Sequence, residues 1–293
     1  MVIASRLFAV WDIRWRWTIM SKRIFNSIWT ASMVVLLASL LKRIQIQKLQ
    51  HKRDRAEIEK AALIRQEFTA NVSHELKTPL HAISGYAELL EQGMVEEADI
   101  KPFAGKIREE SERLTQLVED IIDLSKLDSG GGGLQLEDCD LYRIVLKAAN
   151  NLESEAKAAG VKVRIHGDGA RLQSNQQLLY SIVYNLCDNA IKYNRRNGKV
   201  LMEVYSTPRE TLLRVTDTGI GIPEESFERI YERFYRVDKS RSKEVGGTGL
   251  GLSIVKHAVL ILGGKIEVKS EMGLGTEFSV ILPNQWRKVD ECA

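Results

Sequence analysis

The stretch "NLCDNAIKYN", Asn185 to Asn194, decides how the second half of the chain is read. As a helix it places Asn185, Asn189 and Lys192 at i, i+4 and i+7, on one face. Amide oxygens suit a hard cation such as Mg²⁺, and an ammonium suits phosphate. Taken alone, such a trio reads equally well as a solvated polar face. Two further stretches follow it. In "DTGIGIP", Asp217 to Pro223, an acid ends a strand and glycines then alternate. Gly219 and Gly221 would admit a flat ligand close to the backbone, and Asp217 can accept from an exocyclic amine. In "GGTGLGL", Gly246 to Leu252, alternating glycines open a helix, so backbone N–H groups can face an anion. Each stretch is weak evidence by itself. The three in this order point to a nucleotide site. No Lys-Ser or Lys-Thr pair follows the glycines, which separates the site from a P-loop.

The surrounding pattern sets the organisation. Residues 43–67 are charged and free of Gly and Pro, a helical reading. Phe68, Val72 and Leu76 continue it with one apolar stripe, and the helix breaks near Gly93. A second helix is expected over about Asp99 to Leu127. Its Ile100, Ile107, Leu114 and Ile121 repeat every seven residues, and Leu117 and Leu124 supply the other seam position, which is coiled-coil spacing. Two helices with one narrow stripe each are most simply buried by dimerising into a four-helix bundle. "SGGGG", Ser129 to Gly133, is a flexible boundary. Beyond it, helices are expected at Leu141–Ala159, Gln176–Tyr193 and Leu250–Leu262. Strands are expected at Val161–Ile165, Lys199–Tyr205, Thr211–Thr216, Lys265–Ser270 and Glu277–Leu282. That alternation reads as an α/β sandwich with a mixed sheet, and the whole chain as α+β.

With these stretches in hand, the chain resembles the sensor histidine kinases of bacterial two-component systems over about residues 60–284. "FTANVSHELKTPL" is similar to the family's phosphoacceptor box. "NLCDNAIKYN" resembles its N box, "DTGIGIP" its G1 box, "FERIYERFYRVD" its F box, "GGTGLGLSIV" its G2 box and "GLGTEFSV" its closing glycine-containing strand. The resemblance implies a dimerising helical hairpin and an ATP-binding sandwich shared with heat-shock chaperones and gyrase. It implies ATP and Mg²⁺ as cofactors. The nucleotide would be held by Asn185, Asn189, Lys192, Tyr193, Asp217, Gly219, Gly221, Arg236, Gly247, Thr248, Gly249, Leu250 and Gly251, with Asn185 and Asn189 as metal ligands. Arg236 resembles a family arginine that approaches the γ-phosphate. Arg241 and Lys243 would assist from a lid over about Val237 to Gly247. The implied segments are 1–43 (N-terminal segment and membrane helix), 44–67 (helical linker), 68–128 (dimerisation and phosphotransfer) and 134–284 (ATP binding).

His74 then has a physical reading. A helix advances about 100° per residue, so His74 lies about 200° from both Val72 and Leu76, away from the apolar stripe. Pro79 leaves the Glu75 carbonyl without its helical donor and permits a bend. A neutral imidazole can attack a γ-phosphoryl group. The resemblance assigns Glu75 to take the proton. It assigns Thr78 to orienting water when the partner is dephosphorylated. His51, His81, His166 and His257 have no such context and read as structural or solvent-facing. ATPases of this fold typically carry a glutamate four residues before the second asparagine of the N box. Here that position is Asn185, and an amide cannot activate water. The site is therefore expected to hold Mg·ATP for transfer to His74 rather than for hydrolysis.

The net charge of +3 hides an asymmetry: residues 1–60 carry 12 Lys and Arg against 4 Asp and Glu. Nucleic acid is not the expected partner. "IFNSIWTASMVVLLASLL", Ile24 to Leu41, is free of charge over 18 residues and is bracketed by Lys22, Arg23, Lys42 and Arg43. As a helix it spans about 27 Å, close to the bilayer's apolar thickness. A single membrane span with the remainder in the cytoplasm is the expectation; a buried core helix is the other reading. Trp11, Trp15 and Trp17 alternate with Arg14 and Arg16, and suit a membrane interface or an upstream extension before Met20. Cys139, Cys187 and Cys292 form no metal or disulfide pattern, which fits a reducing compartment. No receiver domain is read after Pro283 and no sensor module between Leu41 and Phe68. The expected partners are a second copy, a separate response regulator and the membrane.

Overall fold

The computed structural model describes residues 2–128, 135–237 and 247–285, with side chains left out at 2–32, 34–41, 44, 57, 60 and 61. The chain divides into two units, Met1–Thr69 and Ala70–Ala293. The first unit is helical throughout its described backbone, part of helix α1, Val2–Glu91. The side chains of Ile24–Leu41 lie almost wholly outside those described, as does the tryptophan segment before them. Among the described residues no helix is long and apolar enough to cross a membrane.

In the second unit α1 ends at Glu91, and Gly93 turns the chain with φ 65°. A positive φ is costly for a residue with a Cβ, so the turn falls where glycine allows it. Helix α2, Ile100–Asp128, follows. Tyr86 of α1 meets Phe103 of α2 edge to face at 5.5 Å, with Lys106 over both rings. The seven-residue repeat assigned Leu117 and Leu124 to a seam between copies. The structure buries them instead with Asp120 and Leu127, at helical spacing on one face. That face meets the later helix Gly251–Ile261.

Beyond residue 134 the chain forms a two-layer sandwich. Strand β1, Glu137–Asp140, leads into helix α3, Leu141–Asn151, capped by the Asp140 carboxylate, which accepts from the Tyr142 and Arg143 amides. The single helix expected over Leu141–Ala159 is two. Leu152, almost wholly buried, leaves helical geometry (ψ 10°), and α4, Glu153–Ala159, begins anew. Burying Leu152 anchors the break. Strands β2, Lys162–Gly167, and β3, Arg171–Ser174, come next. Helix α5, Gln176–Lys192, is capped by Asn175. Then come β4, Lys199–Ser206, β5, Glu210–Asp217, α6, Gly251–Ile261, β6, Lys265–Glu271, and β7, Gly275–Pro283.

The main sheet has the order β2-β4-β5-β7-β6, parallel only between β2 and β4. β1 and β3 form a separate antiparallel pair that the sequence reading did not contain. Alternation assigns the sheet's two faces. Val200, Met202 and Val204 of β4, Leu213 and Val215 of β5, and Phe278, Val280 and Leu282 of β7 are buried toward the helical layer. On the opposite face Arg214 lies between Glu203 (3.7 Å) and Glu277 (3.8 Å) on flanking strands. In the helical layer α5 packs against α3 and α6 and reaches β4 and β5.

Candidate functional site

The site forms where α5 ends, β5 ends and α6 begins. Leu179, Ile182, Val183, Leu186, Cys187, Ala190 and Ile191 of α5 are core, so the opposite side of the helix must carry its polar residues. Asn185, Asp188, Asn189 and Lys192 are accordingly half-buried. Lys192 donates to Asp188 at 2.7 Å, one turn earlier. Burial pushes the Asp188 carboxyl up, and Lys192 opposes that shift. The sequence reading used Lys192 but passed over Asp188. The i, i+4 acid–base spacing inside the same stretch was the available signal.

Asn185 donates its amide N–H to the Ser181 carbonyl at 2.9 Å, which leaves its oxygen toward the start of α6. A Cβ on Gly251 would come within 2.6 Å of that oxygen, so the contact requires glycine. The amide oxygens of Asn185 and Asn189 are neutral, hard donors. Among the described residues no group of three or more His, Cys, Asp or Glu could hold a metal ion. The donor set therefore fits a Mg²⁺ that draws its remaining ligands from phosphate and water, and does not fit an all-protein cage.

Asp217 closes β5. Its carboxylate accepts from the Gly219 amide at 2.7 Å. Burial raises its pKa to about 6, and backbone donors at Gly219 and Thr276 partly offset this. The alternating glycines serve the chain's own backbone. A Cβ at Gly219 would strike the Tyr193 carbonyl and the Asp217 carboxylate, and one at Gly221 the Glu271 carbonyl. Ile220 donates to the Tyr193 carbonyl at 3.1 Å, tying the segment after Asp217 to the end of α5. Asn194 completes the junction by accepting from Thr218 and donating to the Ala190 and Lys199 carbonyls.

The third wall comes from the segment between β5 and α6. Phe234 donates its amide to the Gly249 carbonyl at 2.9 Å. A Cβ at Gly249 would lie 2.9 Å from the Phe234 Cα. The tyrosine next to it, Tyr235, donates to Ser226, and Arg229 stacks 4.4 Å from its ring. Tyr231 is half-buried, its enclosed hydroxyl has no hydrogen-bond partner among the described residues, and burial pushes that group up to about 12. Gly247 adjoins the Tyr193 hydroxyl. Arg241 and Lys243 lie outside the described residues.

The hairpin residues complete the picture. The His74 side chain is 80% exposed, as its angular position predicted, and its Nδ1 lies 3.7 Å from Glu75. The Thr78 hydroxyl donates to the His74 carbonyl at 3.2 Å. Arg236 reaches Glu75 at 3.5 Å and also donates to the Gly247 carbonyl. On α2, Asp120 accepts from the Thr248 hydroxyl at 2.6 Å. Asp128 pairs with Arg233 at 2.6 Å and lies 3.8 Å from His257. No sequence signal pointed to Asp120, which sits 128 residues from Thr248.

Two family models match the chain. Residues 64–130 match the His Kinase A (phospho-acceptor) domain, and residues 174–285 match the histidine kinase-, DNA gyrase B- and HSP90-like ATPase. The chain belongs to the sensor histidine kinases of bacterial two-component systems. It is similar to the sensor protein kinase WalK of Staphylococcus aureus, 37% identical over 222 residues, which cover 75% of this chain and 54% of that protein. The chain thus spans about half the length of that relative. Its fold is similar to full-length ShkA solved in complex with AMPPNP (TM-score 0.56, 26% identity, 76% of this chain and 47% of that one). It is also similar in fold to ThkA solved in complex with the response regulator TrrA (TM-score 0.59, 21% identity, 77% of this chain and 64% of that one). The histidine kinase hairpin and the ATPase-type sandwich are therefore both present, and His74 lies in the first while Asn185, Asn189 and Asp217 lie in the second.

Proposed function

We propose that this chain is a protein-histidine kinase that transfers the γ-phosphoryl group of ATP to His74 and then to an aspartate of a separate response regulator. The observation that carries this reading is the contact of Arg236, beside the glycine loop, with Glu75, the neighbour of His74. It links an arginine at the edge of the proposed nucleotide site to the residue beside the exposed imidazole. The regulator as partner is supported by the ThkA–TrrA complex, at the level of fold.

In this reading Asp217 accepts from the adenine amine, and the Gly247–Gly251 loop faces the phosphates. Asn185 and Asn189 hold Mg²⁺, which neutralises charge on the phosphate oxygens when bound. The imidazole of His74 attacks phosphorus as the bond to the β-phosphate oxygen breaks. ADP leaves, and Glu75 takes the ring proton. In this reading Arg236 passes from Glu75 to the γ-phosphate. Thr78, one turn after His74, serves the reverse duty of orienting water during regulator dephosphorylation. Two copies assemble through the hairpins, with exposed Leu80, Val118 and Ile122 among the apolar residues available for that contact.

The same reading keeps the segment boundaries drawn from the sequence: 1–43, 44–67, 68–128 and 134–284. The uncharged Ile24–Leu41 stretch with its cationic flanks supports a single membrane span, and the need for ATP puts the kinase part in the cytoplasm. Carbonate extraction of membranes tests the span, and release of the chain by carbonate would defeat it.

Incubating the full chain with γ-labelled ATP tests the activity. The expected product is an acid-labile, base-stable phosphoryl group that is absent from His74→Gln. ATP binding without any labelling would instead mark the chain as a binding module.

A further inference from the structure

Asp120 has no part in the reaction as described above. Yet it is the one acidic residue, among those described, with no more than 9% of its surface exposed. A carboxylate is rarely buried unless its oxygens are engaged. Both are. One accepts from Gln116 at 2.8 Å on its own helix, and the other accepts from Thr248 at 2.6 Å. Around it Leu117, Leu124 and Leu127 seat α2 against α6.

Thr248 lies in the middle of the Gly247–Gly251 loop, just before the first turn of α6. Its hydroxyl has a single proton, and Asp120 receives it. The same oxygen accepts from the Leu250 amide at 3.2 Å, so its donor and one of its acceptor positions are in use. Burial raises the pKa of this carboxyl, and the hydrogen bonds from Thr248 and Gln116 and then the charge of Lys192 oppose that shift. Lys192 and this loop are the groups that the nucleotide reading gives to phosphate. A carboxylate and a triphosphate brought to one small site repel each other, strongly so in a site shielded from water.

We propose that Asp120 stands in for an anion at the Gly247–Gly251 loop, so that seating α2 on this loop and binding the phosphates of ATP there compete. This rests on the nucleotide reading above and extends it. Asp120 is then a positioning residue: it acts through Thr248, holds the sandwich on the hairpin, and yields when phosphates arrive. Binding of ATP frees the sandwich from α2, and a chain held in the α2-docked arrangement binds ATP poorly.

The test compares ATP and adenosine binding to the full chain in detergent, by calorimetry, for the wild type, Asp120→Asn and Asp120→Ala. The amide keeps an acceptor for Thr248 and removes the charge. ATP should bind Asp120→Asn about five- to tenfold more tightly than the wild type. Asp120→Ala should gain at least as much. Adenosine has no phosphates and should bind all three alike. A second measurement needs only the wild type: ATP should speed amide hydrogen exchange across residues 117–127, whereas adenosine should not. Unchanged or weaker ATP binding in both folded variants would overturn the inference. So would an equal gain for adenosine, or slower exchange in α2 on adding ATP. A wild type that binds no ATP at all would overturn the nucleotide reading, and this inference with it.

Discussion

The guanidinium of Arg236 lies 3.5 Å from the carboxylate of Glu75, although Glu75 is on α1 and Arg236 is in the segment between β5 and α6. Arg236 is 10% exposed and Glu75 31%, so the pair is partly shielded from water. Arg236 also donates to the Gly247 carbonyl. One side chain thus joins the residue beside His74 to the start of the glycine loop. Arg236→Gln removes the charge and should slow labelling of His74 at least tenfold, while ATP affinity falls less. Losing one charge-assisted contact costs about 1.5–3 kcal/mol. The measurement is the single-turnover labelling rate as a function of ATP. Wild-type rates at saturating ATP would remove Arg236 from the transfer step.

His74 is 80% exposed and off the apolar stripe, so its replacement should leave the fold intact. His74→Gln should abolish labelling and change stability by no more than about 0.5 kcal/mol, as surface substitutions usually do. Thermal unfolding and labelling are read on the same sample. Retained acid-labile label in the variant would place the acceptor elsewhere.

Burial raises the pKa of Asp217 to about 6 from an ordinary 3.8. A raised carboxyl pKa means that the folded state binds the proton more tightly than the unfolded one. Asp217 therefore favours folding at low pH, and that contribution is lost as pH rises from about 3.8 to 6. At pH 7 the ionised group weighs against stability, so Asp217→Asn should melt no lower than the wild type there. Nucleotide binding runs the other way. Affinity for ATP should fall as pH drops through about 6, since the adenine amine loses its charged acceptor. The variant should bind about tenfold or more weakly at pH 7, from one lost charge-assisted bond, and lose that pH step. A calorimetric titration at several pH values decides it, and an unchanged step in the variant would refute the assignment.

Asn189→Ala removes one amide oxygen from the proposed Mg²⁺ site on α5. Labelling of His74 should be lost while the circular dichroism spectrum stays that of the wild type, because Asn189 is half-buried and outside the apolar core of the helix. Normal labelling in the variant would exclude Asn189 as a ligand.

Thr78→Ala should leave labelling within about twofold of wild type, since its hydroxyl donates to the His74 carbonyl in an exposed hydrogen bond, and such a bond contributes little. Removal of phosphate from a cognate regulator should slow. Equal decay of the phosphorylated regulator with both proteins would count against a role in dephosphorylation.

Sequence alone determined the parts of this protein that depend on local spacing. The helix-face position of His74 followed from the 3.6-residue period, because an apolar stripe at Phe68, Val72 and Leu76 fixes where position 74 must point. The strands β4, β5 and β7 followed from alternation, and the Asn185–Asn194 stretch with the two glycine-bearing stretches pointed to the candidate site. What only the tertiary structure decided were contacts between residues far apart in the chain. Leu117 and Leu124 fit a seam between copies by spacing alone, yet they lie against α6, since an apolar stripe specifies burial without naming its partner. The glycines at 219 and 221 read as room for a ligand, and only the fold shows that a side chain there would also strike Tyr193, Asp217 and Glu271. β1 and β3 escaped because Glu137–Asp140 is too short and too polar to show a period, and its pairing with Arg171–Ser174 exists only in three dimensions. Asp120 carried no signal at all. A lone aspartate on a helix looks solvated until the fold sets Thr248 against it, and only then does its buried charge have a meaning.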